Sequence, residues 1–210
     1  MRKPGSMRAL EELGRVRLSQ SFFMRDFLHS EIAAFYRIPN IPEDPDLAIE
    51  AGRGLCENCL EPLQARFGRI SIRSAYRAPA VNGFGNKHKL NCGSNESNYG
   101  AHIWDRRDRE GRIGACATVI VNAFIPYFER TRHWEALAWW VHDHLPYDDL
   151  EFFPKYAAFN LGWKDAPNGG IYSYIPPRRG WLVKRGTPEF GKDHSAEYAE
   201  WLATITPGSQ

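Results

Sequence analysis

The spacing of apolar residues changes period along this chain, and the changes mark its elements. Over 45–66, Leu47, Leu55, Cys59, Leu60 and Leu63 recur on one face of a helix, and Gly68 stands at a C-cap position. Upstream, Ser19-Gln20-Ser21 precedes the spaced aromatics Phe22, Phe23 and Phe27, which predicts a serine-capped amphipathic helix within 19–38. Ile38-Pro39-Asn40-Ile41-Pro42 then forbids a regular element and predicts a loop. After Gly68 the period falls to two. Ile70 and Ile72 alternate with Arg69, Ser71 and Arg73, so 69–74 reads as a strand packed against the 45–66 helix.

Residues 78–99 are rich in Gly and Asn and predict a long loop, a feature that in a compact domain is usually functional. A short strand is expected over 101–104. The β-branched run Thr118-Val119-Ile120-Val121-Asn122 predicts a third strand or the buried start of the next element. Trp134, Leu137, Ala138 and Val141 share one face of a helix over 131–142. Further strands are expected over 148–153, 157–163 and 171–175, and a final helix over 195–202. Helices first and strands later point to an α+β fold, with helices packed on a small, mainly antiparallel sheet.

Bulk properties narrow the function. The chain of 210 residues suits one domain, expected over 19–186, with an N-terminal extension 1–18 and a tail 187–210. Within the extension, Gly5-Ser6-Met7 reads like an expression scar. Aromatics make up 13%, including seven Trp, which predicts a large core or an aromatic-lined cleft. A net charge of +2 is too weak to single out nucleic acid as the partner. No apolar run reaches the roughly 18–20 residues that span a bilayer, and the charged N-terminus lacks a following apolar stretch, so a cytoplasmic location is expected, or export by another route such as phage lysis. Of the four cysteines, Cys56 and Cys59 form C-x-x-C inside the helical pattern, while Cys92 and Cys116 stand alone. That favours buried free thiols over a disulfide or redox pair and over structural zinc, for which a second C-x-x-C is missing.

The most informative stretch is Ser74-Ala75-Tyr76-Arg77-Ala78-Pro79-Ala80-Val81-Asn82, preceded by Leu60-Glu61-Pro62-Leu63-Gln64-Ala65-Arg66-Phe67-Gly68. Together they resemble the zinc D-alanyl-D-alanine carboxypeptidase family, whose fold the hedgehog signalling domain shares. In that family a helix reading "L-x-P-L-R-x-x-x-G" leads into a strand and then "S-G-Y-R-x-P-x-x-N". The opening aromatics are similar to its "hF-x-x-S/D-E-F" segment. The likeness covers residues 18–82, and a weaker one runs to about residue 175. It implies a hedgehog/carboxypeptidase-like α+β fold. It also implies an arginine, here Arg77, that stabilises an oxyanion or holds a substrate carboxylate. The family holds zinc through "S-x-H-x-x-G-x-A-x-D" and a later "W-x-H", and a carboxylate shortly before the last His activates the zinc-bound water.

On this chain the resemblance places Asp105 at the Asp, Asn98 at the first His and Asp165 at the second His, with Asp149 and Glu151 as the nearest acids for the catalytic carboxylate. Both His ligands of the family are therefore replaced, and zinc, where bound, needs other donors. His142-Asp143-His144 offers two imidazoles on one face of an extended segment, so Asp105, His142 and His144, joined by His102, form the candidate metal set. The same histidines would serve equally as a helix C-terminal cap. The expected catalytic residues are Arg77, His102, Asp105, His142 and His144, and Arg77 is expected to share its cleft with Asp105. Tyr76, Asn98, Trp104 and Trp163 are the expected substrate contacts, although Tyr76 also fits a packing role and Asn82 a turn-closing one. Three readings follow: a carboxypeptidase-like hydrolase acting on a small peptide or amide, a non-catalytic peptide- or partner-binding protein on the same fold, and a metal-independent enzyme using cleft His, Asp and Arg.

Overall fold

The computed structural model describes residues 1–205. Helix α1 (Met7–Gly14) is capped by Ser6 and leads into a one-turn 3-10 helix at Met24–Phe27. Instead of a long helix within 19–38, α2 spans only Glu31–Tyr36, with Ser30 as its cap and Arg37 left-handed at its end. The aromatics that suggested helical periodicity do another job here: Phe22 and Phe27 are buried in the core while Phe23 is exposed.

The second helical region is longer than one regular helix. α3 (Pro45–Leu55) continues through a π-helical turn, Cys56–Leu60, into α4 (Glu61–Phe67). Pro62 has no N–H to donate and its ring crowds the carbonyl four residues back, so the wider turn just before it relieves the backbone. Cys56, Cys59, Leu60 and Leu63 are fully buried on its inner side. β1 (Ile70–Ser74) follows and packs against α4.

The expected long loop after β1 contains α5 (Pro79–Lys87) and the short α6 (Asn95–Asn98). Pro79 sits in the first turn, where its missing N–H costs nothing. Gly83 and Gly85 disfavour a helix by propensity, but a Cβ at Gly85 would lie 2.5 Å from Cys92 Sγ, so packing requires glycine there. Residues 101–104 form turns rather than a strand. Gly100 takes φ +64, and the amides of Ala101 and Ile103 both turn back to Asn98 O at 3.0 and 2.9 Å.

The remaining elements are β2 (Gly114–Val121), α7 (Ile125–Thr131), α8 (Glu135–His144), β3 (Leu150–Phe152), β4 (Phe159–Lys164), β5 (Gly170–Ser173), β6 (Gly180–Lys184) and α9 (Ser195–Thr204). The six strands form one mixed sheet in the order β1-β2-β4-β3-β5-β6. β3 and β5 run parallel and the other neighbours antiparallel. The protein is thus α+β. No helix among the described residues is long and apolar enough to cross a membrane.

Strand alternation divides the sheet into two faces. Ala115, Ala117, Val119, Leu150, Phe152, Leu161, Ile171 and Val183 are buried in the core, over which α3 packs on β2 and β4. The intervening residues point to the opposite face. α9 brings Trp201 into the same core, against Phe67 and Phe124 at centroid distances of 4.5 and 4.7 Å.

Candidate functional site

A cavity of about 1220 Å³ lies over the face of the sheet turned away from α3. Its floor is made by the second set of alternating positions: Cys116 and Thr118 on β2, Asn160, Gly162 and Lys164 on β4, and Glu151 on β3. The segment after β1 supplies Arg77, and the turn around Gly100 supplies Asn98 and His102.

Two bonds tie His102 to the segment that carries Arg77. The Arg77 amide donates to His102 O at 2.8 Å, and His102 Nδ1 lies 2.8 Å from Ala75 O. A carbonyl only accepts, so Nδ1 carries the proton and Nε2 is the ring's acceptor, with the Asn160 side chain beside the ring. His102 is only 6% exposed. Burial first, and the nearby Arg77 charge second, push its imidazolium down to about 3, so His102 is neutral at ordinary pH. The Arg77 guanidinium donates to Cys92 Sγ at 3.0 Å, and its Nε is buried without any partner. No carboxylate pairs with Arg77 among the described residues.

The floor is polar and ordered. Thr118 Oγ1 donates to Asn160 Oδ1 at 2.6 Å, and Asn160 Nδ2 donates to Glu151 Oε2 at 2.8 Å. Because a carboxylate accepts only, this chain fixes the Asn160 amide orientation. Beside it, burial pushes the Cys116 thiol far up, so it stays protonated and is no nucleophile. Asp148 is paired with Lys164 at 2.9 Å, whereas Asp149, exposed on the cavity wall, is pushed up to about 6 by partial desolvation and by the Asp148 charge.

Of the residues expected from the sequence, Arg77, His102 and Asn98 meet in this cavity, and so do the two acids Asp149 and Glu151. Asp105 does not line it, which corrects the expected shared cleft. The turn at 102–105 sends His102 and Asp105 opposite ways, and Asp105 Oδ2 instead accepts from the Glu43 amide at 2.7 Å. Tyr76 and Trp104 are core residues with no exposed surface, their rings 6.2 Å apart. Trp163 faces α3, because alternation on β4 puts Asn160 and Lys164 into the cavity and Trp163 behind it. These three are packing residues rather than substrate contacts.

His142 and His144 lie elsewhere, at the C-terminal end of α8, beside a cavity of about 720 Å³. On a helix, residues two apart diverge, so the two imidazoles do not share a face. His144 Nδ1 donates to Trp140 O at 2.8 Å, a helix-end contact. The expected set Asp105, His142 and His144 is therefore not brought together. Among the described residues, His142, Asp143 and His194 do have potential metal-binding atoms within 4.8 Å of one another. Their ring nitrogens are already engaged, however: His142 with Tyr147 and Phe190 O at 2.7 and 2.9 Å, His194 with Asp143 and Glu189 O at 2.9 and 3.1 Å. That network ties α9 and the turn before it onto α8.

Comparison with protein-family models, curated proteins and solved structures found no match. A zinc ion of the kind the resemblance implies does not fit the corresponding positions. Asp105 is turned out of the cavity, and Asn98 spends its amide N–H on Ser94 O at 3.0 Å. Asp165 does not line the cavity either.

The floor residues Cys116, Thr118 and Asn160, and the wall residues Tyr172, Tyr174 and Trp181, were not picked out from the sequence. Their signal is the polar or aromatic half of each strand's alternation, as in Asn160-Leu161-Gly162-Trp163-Lys164 and Ile171-Tyr172-Ser173-Tyr174.

Proposed function

We infer that the cavity over the sheet binds a small peptide or amide carrying a carboxylate, with Arg77 as its anchor. The observation that carries this reading is the Arg77 guanidinium, which lines the cavity with a buried, unpartnered Nε and no acidic partner. A buried, unpaired donor on a cation is costly and is relieved by an anion. Neutral His102 beside it offers an Nε2 lone pair to an amide N–H or to a proton. An anion on Arg77 removes the positive charge that helps hold His102 neutral, so binding itself would raise the basicity of this imidazole.

Two activities fit this arrangement. Hydrolysis of the bound amide is the first: water adds to the amide carbonyl as His102 takes its proton, and His102 returns that proton to the departing amine as the C–N bond breaks, while Arg77 holds the substrate carboxylate. Binding without turnover is the second. It is favoured by a His102 held at about 3, a weak base for proton abstraction near neutrality.

The test uses tetra-alanine and its C-terminal amide, measured for binding by calorimetry and for cleavage by chromatography. The free acid should bind more tightly than the amide. Arg77→Lys should lose roughly 2–4 kcal/mol, about as much as Arg77→Ala, because lysine cannot give two parallel bonds from a planar fork. Equal binding of acid and amide, or wild-type affinity retained in both variants at unchanged Tm, would overturn the anchor. Cleavage that His102→Gln abolishes selects the hydrolase; binding without cleavage selects the binding protein.

A further inference from the structure

The far wall of the cavity carries a second, oppositely charged end. Phe153, Tyr172, Tyr174 and Trp181 all line it. They form a continuous aromatic row: Phe153 stacks on Tyr174 at 5.5 Å, Tyr174 meets Tyr172 at 4.9 Å, and Tyr172 meets Trp181 at 5.4 Å. Tyr174 and Trp181 are 44% and 53% exposed, so both rings remain open to a ligand.

Two carboxylates stand at this row. Asp149 and Glu151, two apart along the β3 segment, point to the same side and line the cavity. Neither has an ion-pair partner among the described residues, because Lys164 is spent on Asp148 and Asp108 at 2.9 and 3.3 Å. The Trp181 ring lies beside Asp149 over Gly170. A Cβ on that glycine would be 2.9 Å from the ring and 3.6 Å from Asp149 Oδ1, so an added methyl would displace the ring while leaving the carboxylate in place. The indole already receives one ammonium, since Lys184 Nζ sits 4.3 Å from its centroid. Aromatic faces joined to carboxylates are the chemistry that holds ammonium groups.

The two ends of the cavity are separate. Arg73 is on β1 and Arg77 follows it, while Asp149 and Glu151 belong to the β3 side, three strand steps away in the sheet order, a backbone separation of roughly 14 Å that the side chains shorten, since Glu151 Oε2 reaches back to Asn160. Between them lies His102, nine-tenths buried, its Nδ1 held by Ala75 O and its ring beside the Asn160 side chain of the cavity floor. Glu31, at the start of α2, is a further acid lining the cavity.

We propose that the wall formed by Asp149, Glu151, Tyr172, Tyr174 and Trp181 is a subsite for the protonated amine of the ligand. It rests on the peptide-binding reading for its ligand. The implied substrate class is a short peptide whose carboxylate meets Arg77 and whose free ammonium meets Glu151. At about 3.4 Å per extended residue, the backbone separation of the two ends sets an upper limit of about four residues.

The experiment compares tetra-alanine with N-acetyl-tetra-alanine by calorimetry, on wild type, Glu151→Gln, Asp149→Asn and Gly170→Ala. Acetylation should weaken binding at least tenfold in wild type. That difference should collapse in Glu151→Gln and shrink in the other two variants, with Tm checked for each. Gly170→Ala keeps every charge and displaces only the ring, so it separates the aromatic part from the ionic one. If acetylation changes nothing while C-terminal amidation does, the amine subsite is wrong and the Arg77 anchor stands. If no tetrapeptide binds, the peptide reading fails and n-butylammonium against n-butanol decides the subsite. Saturable perturbation of the Trp181 indole N–H signal by the cation alone, lost in Glu151→Gln, supports it. Equal effects of cation and alcohol overturn it.

Discussion

His102 shows how one residue's environment sets its chemistry. Its Nδ1–H is held by Ala75 O, and burial with the Arg77 charge pushes the group to about 3, well below an unfolded value near 6.5. Between those two values the unfolded chain binds a proton that the folded protein does not. Stability should therefore rise with pH across that window and fall on acidification, by at most roughly 1.4 kcal/mol per pH unit from this group. His102→Asn keeps a side-chain N–H for Ala75 O but does not titrate. Urea unfolding of wild type and variant at about pH 7 and about pH 5 should show the smaller acid loss in the variant. Parallel losses would mean that His102 is protonated in the fold.

At the scale of elements, the contact between α3 and β4 depends on Gly54. A Cβ there would lie 2.0 Å from the Trp163 ring. Alanine improves helix propensity by roughly 1 kcal/mol, but overpacking of this kind costs about 1–3 kcal/mol or more, so the clash wins. Gly54→Ala should be net destabilising in chemical denaturation, and combining it with Trp163→Leu should recover part of the loss. Additive effects of the two substitutions would contradict the contact. The same contact explains why Trp163 is no substrate residue: it is the knob that seats the sheet on the helix. At the other end of the molecule, α9 is held on α8 by His194, which stacks on Trp139 at 3.8 Å and bonds Asp143. In hydrogen exchange, His194→Ala should release α9 amides before those of β2. Uniform loosening of both would show that the clasp is not local.

For the whole molecule, the segment beyond 186 matters more than its sequence suggests. Trp201 is fully buried between Phe67 and Phe124, so α9 completes the core under α4 and the segment before α7. Trp201→Ala should cost about 3–5 kcal/mol, read as a fall in the denaturation midpoint, whereas a helix merely resting on the surface would cost a few tenths. Much of the architecture was legible in the sequence because it is local. The 3.6-residue spacing of Leu55, Cys59 and Leu63, the alternation of Ile70 and Ile72, and the face shared by Trp134, Leu137 and Val141 each record one element's buried side. Arg77, Asn98 and His102 were singled out through the family resemblance and not by any local period, and they line one edge of the cavity. Misread elements came where packing overrode propensity, as in the glycine-bearing α5, or where a turn resembled a strand, as at 101–104. The opposite edge was decided by tertiary structure alone. Strand order puts Asn160 beside Thr118 and Glu151, and the parallel pairing of β3 with β5 sets Tyr172 next to Glu151. A sequence states which residues of a strand share a face. It does not state which strands are neighbours, because pairing is fixed by long-range contacts that no local period records.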